Sequence, residues 1–520
     1  MTKLFKNIQL ELKNNWSVFL MIGSVFLIQI PLQKILYVGL NETFFSSEIL
    51  GLNYIFQSKR LILFYLVLVI FFLLLTQYKK RVEVPIYIKI IVGLCILILT
   101  WSYSLYEYNY YFNQWHLYDR VLLIILGILS IRHPFFTIFF VLQTICISKQ
   151  FTFPKGFVYS LTDKKIIFDI LILYWLFYVF QIFIKNINWK FFIVIILATI
   201  GNWYFLASYG KFRLDWLQEN QTFNLYSSVQ VFGWLQFLPD YITISLGSFI
   251  KNNNNFIQIS VIIIELLLPI IILLHRRLVL PTLSLYIVFH IMIFLFSGIF
   301  FWKWILLEIS LIFIIKYFQL NLSKSKYLLL YFPLLFCSSL FLKSFSLSWL
   351  DSGYIHHYKF HFQTDSNEII PLDASFFSPY DLIFAQNRFH YLFNNKVLSY
   401  TFGSTQSKDV VRFINDLKKN NFDKNKIINF KNKNGTNKYN LNKKLMLESF
   451  LKNFVMNKLQ NDVKWINYID PPMHIWQGVN QQNLSISNAK KILITCDEVI
   501  TSNQNHFTVF SLDTLSIDLK

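Results

Sequence analysis

The stretch Tyr204-Phe205-Leu206-Ala207-Ser208-Tyr209-Gly210-Lys211-Phe212-Arg213-Leu214-Asp215-Trp216 runs an apolar span into small residues, then a lysine, then Asp-Trp. A lysine at such an edge, covered by aromatic rings, sheds part of its hydration, and desolvation makes a neutral amine available as a base near neutrality. The same pattern also suits an interfacial lysine reaching for water, with Trp216 in an aromatic belt. His116, in Asn113-Gln114-Trp115-His116-Leu117-Tyr118-Asp119-Arg120, precedes an apolar run on the same predicted side as Lys211. An imidazole there can shuttle protons or donate a hydrogen bond to a ring oxygen; it can equally rest on Asp119. Glu265 and His290 lie inside apolar runs, where ionisable groups are costly and mark either a functional site or a structural pair. The expectation is a Glu265–His290 pair across neighbouring helices. Glu308, six residues after Trp302, is a weaker case of the same kind.

Other chemistry finds less support. His356-His357 and His361 could meet a metal, but neighbours on a strand face opposite sides, so a surface cluster is expected and no metal site. There is no P-loop, no G-x-G-x-x-G after a strand and no G-x-S-x-G elbow, which removes support for ATP-driven transport, Rossmann-type redox chemistry and serine hydrolysis. Cys95, Cys146, Cys337 and Cys496 form no C-x-x-C pair and read as packing residues.

The elements that must position these residues follow from composition. Of 520 residues 55% are hydrophobic, 19% aromatic and 15% charged, with mean hydropathy +0.45. Soluble domains average about 25% charged, so an ordinary soluble enzyme and a disordered chain are both excluded. A hydrocarbon core of about 30 Å needs roughly 20 apolar residues per helix. Such runs occur at Trp16–Leu36, Leu61–Gln77, Ile86–Tyr103, Ile167–Ile184, Trp189–Ala207, Ile257–Leu274, Leu278–Phe296, Trp302–Phe318 and Tyr327–Leu342. Two shorter runs, Val121–Ile131 and Phe135–Ser148, flank Arg132-His133-Pro134 as two short helices or one broken one. The fold class expected is an all-α polytopic membrane bundle of nine to eleven transmembrane helices over residues 1–344. The net charge of +20 is read as lysine and arginine in cytoplasmic loops facing anionic lipid, not as a nucleic-acid surface. Most loop charges then place the N-terminus in the cytoplasm and His116, Lys211 and the tail outside, in the cell membrane. Lys59-Arg60 and the Lys149–Lys165 stretch run against that orientation.

After Leu342 no run is long enough to span. Tyr358, Phe360 and Phe362 alternate with polar residues as a half-buried strand requires. Lys491–Thr495 and Phe507–Ile517 also read as strands, and Asn394-Asn395-Lys396 as a hairpin turn. Lys408–Lys419, behind a Ser407 cap, and Leu441–Leu459 read as helices, and Asn429–Asn440 as a loop. Residues 345–520 are therefore expected to form an extracytoplasmic, β-rich α+β domain.

Taken together, Tyr204-Phe205-x-Ala207-x-x-x-Lys211-x-x-x-Asp215-Trp216 resembles the lysine motif of the vitamin K-dependent gamma-glutamyl carboxylases, within the wider horizontally transferred transmembrane (HTTM) family. Glu265-x-x-x-Pro269, Arg277, Phe289-His290 and Gly298 are similar to the helix pair that follows there. His116 after Asn113, with Leu122-Leu123 downstream, resembles the family's earlier histidine segment. Ser208 stands where the motif usually has Gly, Phe212 where it has Leu, and Gly210 where the carboxylases have a second lysine. The likeness covers roughly residues 10–320.

That resemblance implies a bundle whose site opens outward and a reduced quinone of vitamin K or menaquinol type as cofactor. Lys211 would deprotonate the quinol, whose oxygenation yields a strong base. The base removes a γ-proton from a glutamate of an exported peptide, and the carbanion captures CO2. His116 would hydrogen-bond the quinol, while Tyr204, Asp215, Trp216 and His290 line the binding site. The alternative within the same family is a non-catalytic maturation or export partner of a secreted peptide or toxin.

Overall fold

The computed structural model describes residues 48–56, 59–77, 82–105, 108–150, 162–183, 188–274, 276–318, 331–336, 349–419, 423–460, 471–476, 489–501 and 507–519, with a few isolated positions before 48. Five helices among them are long and apolar enough to cross a membrane: Ile86–Ser104, Lys164–Phe183, Lys190–Arg213, Asn254–Ile272 and Val279–Ser297. The pair Leu50–Phe56 and Lys59–Leu75, bent by 106°, makes a sixth if taken as one span. The nine to eleven spans expected are not reached among the described residues. Trp16–Leu36 and Tyr327–Leu342 lie largely outside them. Val121–Ile131 and Phe135–Ser148 become two short helices, Leu117–Arg132 and Thr137–Gln150, joined by a 3-10 turn at Pro134–Phe136. Proline cannot continue the first helix, and it bars the residue before it from helical geometry; His133 is accordingly extended. Trp302–Tyr317 is also too short, at 16 residues.

Lys190–Arg213 is the central helix, with 89% of its apolar window buried, whereas Asn254–Ile272 and Val279–Ser297 are only 28% and 33% buried. The first can only be a packed centre, and the other two present most of their surface outward. Among the described residues, the largest of three hydrophobic clusters runs from these helices into the C-terminal region.

The C-terminal region is built on a four-stranded antiparallel sheet ordered Phe507–Asp518, Ala489–Thr501, Tyr354–Thr364, Ile369–Leu372. The strands expected around Tyr358, Lys491 and Phe507 are present. The helix Lys408–Lys419 starts behind Ser407, whose Oγ accepts from Val410 N at 3.4 Å, and the second helix is Leu441–Gln460. Two expectations are corrected. Asn394-Asn395-Lys396 does not turn a hairpin, because Lys396-Val397 pairs with Thr436-Asn437. Most of Asn429–Asn440 is helix and strand, since Lys424–Asn434 is helical. Asp423 caps that helix, buried Ile427 anchors it, and Lys431 reaches Glu498 at 2.5 Å, so tertiary contacts override the weak helix propensity of asparagine.

Sheet and bundle are locked together through the short helix Gln221–Val231. Asn224 Nδ2 donates to Asp351 O at 2.7 Å, Ser227 Oγ to Thr501 Oγ1 at 2.9 Å, and Lys418 Nζ to Asn224 Oδ1 at 3.0 Å. Further out, Tyr380 OH donates to Asn109 Oδ1 at 2.8 Å, and a tail segment pairs with the chain after Ser297, with Phe300 N donating to His474 O at 2.8 Å. Gly298 ends the Val279–Ser297 helix with φ +70°, and a Cβ there would stand 2.9 Å from the Trp234 ring, so the turn that receives the tail requires glycine.

His116 lies at the start of Leu117–Arg132, fully buried. The Asp119 carboxylate accepts from Leu50 N at 2.6 Å, Gly51 N at 3.0 Å and Gln143 Nε2 at 2.8 Å, with His116 Nδ1 at 3.6 Å. Asp119 thus caps the Leu50–Phe56 helix from a distance. Asp119→Ala is expected to lower stability by about 1–2 kcal/mol, and Asp119→Asn by less, since one amide oxygen still accepts. Thermal unfolding of both variants in detergent checks the order.

Candidate active site

Lys211 occupies the last turn of the central helix. Its Nζ donates to both carboxylate oxygens of Glu265 at 2.6 Å and stands 5.4 Å from the centre of the Trp216 ring. The side chains of Lys211 and Glu265 are 14% and 6% exposed. Glu265 sits in a π-helical turn, Ile263–Leu267, within the helix that begins at Asn254. The cause lies four residues on. Pro269 has no N–H to return to the Glu265 carbonyl, and the ladder widens, with Leu268 N bonding Ile263 O. Such single π turns recur at functional sites because they re-aim one side chain.

Tyr204 lies seven residues before Lys211, about 10 Å down the same helix face at 1.5 Å per residue. Its hydroxyl donates to Glu308 Oε1 at 2.8 Å and lies 3.2 Å from His290 Nε2, while His290 Nδ1 is 3.4 Å from Glu308 Oε2. Tyr286 stacks on the Tyr204 ring at 3.8 Å and Phe301 on His290 at 5.1 Å. A phenol held between a carboxylate and an imidazole can pass a proton in either direction. Ala207 and Ser208, both buried, separate the two groups with little bulk.

The expected Glu265–His290 pair is therefore replaced by two pairs, Lys211–Glu265 and His290–Glu308. The π turn brings Glu265 to Lys211, while His290 meets Glu308 across the adjacent helices Val279–Ser297 and Trp302–Tyr317. Trp216 lies beside Lys211, while Tyr204 and His290 meet at Glu308. Asp215 does not reach Lys211: it adopts φ 51° and pairs with Lys408 of the C-terminal region. His116 is not brought to Lys211 either. It lies beside Asp119, on a helix that packs against Ile86–Ser104 and Thr137–Gln150.

Lys211, legible either as a desolvated amine or as an interfacial lysine reaching for water, has its Nζ held between the two oxygens of Glu265; to act as a base it must first pass a proton to that carboxylate. The donor set, an amine backed by a carboxylate beside an indole face, suits a phenolic hydroxyl, and Tyr209, Phe212, Ile263 and Leu267 nearby in sequence are exposed.

Asp351 carried no signal in the sequence. It follows Leu350, which packs on Trp216, and it is buried near enough to Lys211 for their charges to interact. Burial, opposed by Trp349 and Lys211, pushes its carboxyl up to about 8. The folded chain then binds a proton that the unfolded chain releases near pH 4, so stability is expected to fall as pH rises between about 4 and 8. Asp351→Asn should remove that part of the slope in melting temperature against pH.

The histidine cluster of the tail is not on the surface. His356 is buried and His357, half-buried, points to the opposite face of the strand; loss of hydration pushes both imidazoles down to about 3. His357 and His361 share a face with the Lys359–Asp497 pair and line a cavity of about 170 Å³ beside Phe232. Among the described residues no group of three or more His, Cys, Asp or Glu side chains is placed to hold a metal ion. No family model, curated protein or solved structure matches the chain.

Proposed function

We propose that this chain is a membrane enzyme resembling the vitamin K-dependent gamma-glutamyl carboxylases, which uses a reduced quinone to carboxylate glutamate in an exported peptide. The observation that carries the reading is the Lys211–Glu265 pair at a π turn, two helical turns along one face from the buried Tyr204–His290–Glu308 group. When bound, a reduced quinone would supply, on oxidation, the base strength that a lysine amine lacks toward a carbon acid. Lys211 would accept the hydroxyl proton after passing its own to Glu265, Trp216 would pack on the ring, and Tyr204, His290 and Glu308 would hold a second proton within reach. The stacked aromatic walls keep water from reactive species. The loop charges support a cytoplasmic N-terminus and an extracytoplasmic C-terminal region.

One observation favours the second reading, a maturation or export partner without catalysis: His116 Nδ1 rests 3.6 Å from Asp119 rather than beside Lys211. Mass spectrometry separates the two. A glutamate-bearing exported peptide co-expressed with the chain is expected to gain the mass of one carboxyl group per modified glutamate. An unmodified peptide that is nevertheless exported only when the chain is present would favour the partner reading.

A further inference from the structure

The helix Asp240–Asn252 presents an outward face of seven residues, Tyr241, Ile242, Ile244, Ser245, Ser248, Phe249 and Asn252, none of them charged. Phe237 just before it is 74% exposed, Tyr241 70% and Phe249 56%. Gly247 and Ile250 are buried on the inner side, where the helix packs against Gln221–Val231. In water such a face would leave several large apolar side chains uncovered, an arrangement that marks an interaction surface.

What covers it follows from the next element. Asn252, Asn253, Asn254 and Asn255 turn the chain into the Asn254–Ile272 span. The exposed side of that span begins at Phe256 and continues through Ile259 and Ile263, spaced by three and four residues as one helix face requires. The outward face of Asp240–Asn252 and this stripe are both apolar and are joined through a polar asparagine run. Large apolar side chains on the outer face, with Asp240 and Lys251 at its edges to reach headgroups and protein packed on the inner face, suit a helix seated at the acyl boundary.

We propose that Asp240–Asn252 is an in-plane helix seated at the boundary between headgroups and acyl chains, on the side where the C-terminal region meets the bundle. Ile262, three residues before Glu265, shares an apolar cluster with Leu350 and Val411 of that region, so the same boundary lies close to the Lys211–Glu265 pair.

The test is site-directed spin labelling of the full chain in nanodiscs of phosphatidylcholine with phosphatidylglycerol. Tyr241→Cys, Phe249→Cys, Ile263→Cys and, as the aqueous reference, Asp365→Cys are compared with the wild-type chain carried through the same labelling. All four positions are outward, so the fold is retained, and a melting curve for each variant checks this. Collision with oxygen is expected to exceed collision with a water-soluble nickel complex at 241, 249 and 263, and to be reversed at 365. Labels at 241 and 249 that match 365 would overturn the proposal, as would labels shielded from both reagents, which would mean that protein covers the face.

Discussion

Lys211→Ala is expected to destabilise the chain by about 3–5 kcal/mol, because it strips a buried carboxylate of the ammonium that holds both its oxygens. Glu265 is 6% exposed and both its oxygens face Nζ at 2.6 Å, so the carboxylate cannot turn to water without opening the π turn. Loss of activity in this variant alone would be ambiguous, since the protein is also weakened. Replacing both partners by apolar residues, as in Lys211→Met with Glu265→Met, removes the charge and its counter-charge together. Such replacements are commonly neutral or stabilising by about 1–4 kcal/mol. The double variant is therefore expected to melt at or above the wild-type temperature. A double variant as unstable as Lys211→Ala would show that the pair is not an isolated electrostatic unit.

The second large effect is expected at Glu308. Its carboxylate accepts from Tyr204 and faces His290, and all three side chains are buried. Glu308→Ala would leave the Tyr204 hydroxyl and the His290 ring without that acceptor, at a cost on the order of 3 kcal/mol. Glu308→Gln keeps an oxygen for Tyr204 and should recover most of the stability, but an amide does not take up a proton. Thermal unfolding of the two variants should thus split clearly, while peptide modification falls in both. Equal melting temperatures for Ala and Gln would mean that Tyr204 finds another acceptor.

Much of this was legible before any coordinates. Apolar length identified the central helix, alternation identified the strand through Tyr358, and the cost of burying ionisable groups singled out Glu265, His290 and Lys211. Partnership was harder to read. Pairing Glu265 with Lys211 depends on a register change at Pro269, and no helical wheel drawn at a constant period contains it. Asp351 was invisible because it reaches the site from a strand more than a hundred residues away in sequence, through contacts with Gln221 and Asn224. Asp215 illustrates the converse. It follows Lys211 by four residues, yet its left-handed backbone turns it toward Lys408.

The most direct test of the central claim is the intact mass of a glutamate-bearing exported peptide after incubation with reduced quinone, CO2, O2 and either the wild-type chain or the Lys211→Met, Glu265→Met double variant in membranes. The wild type is expected to add a carboxyl group and the folded double variant none. Modification by the double variant at wild-type yield, or a peptide left unchanged by both, would contradict the assignment of proton transfer to Lys211 and Glu265.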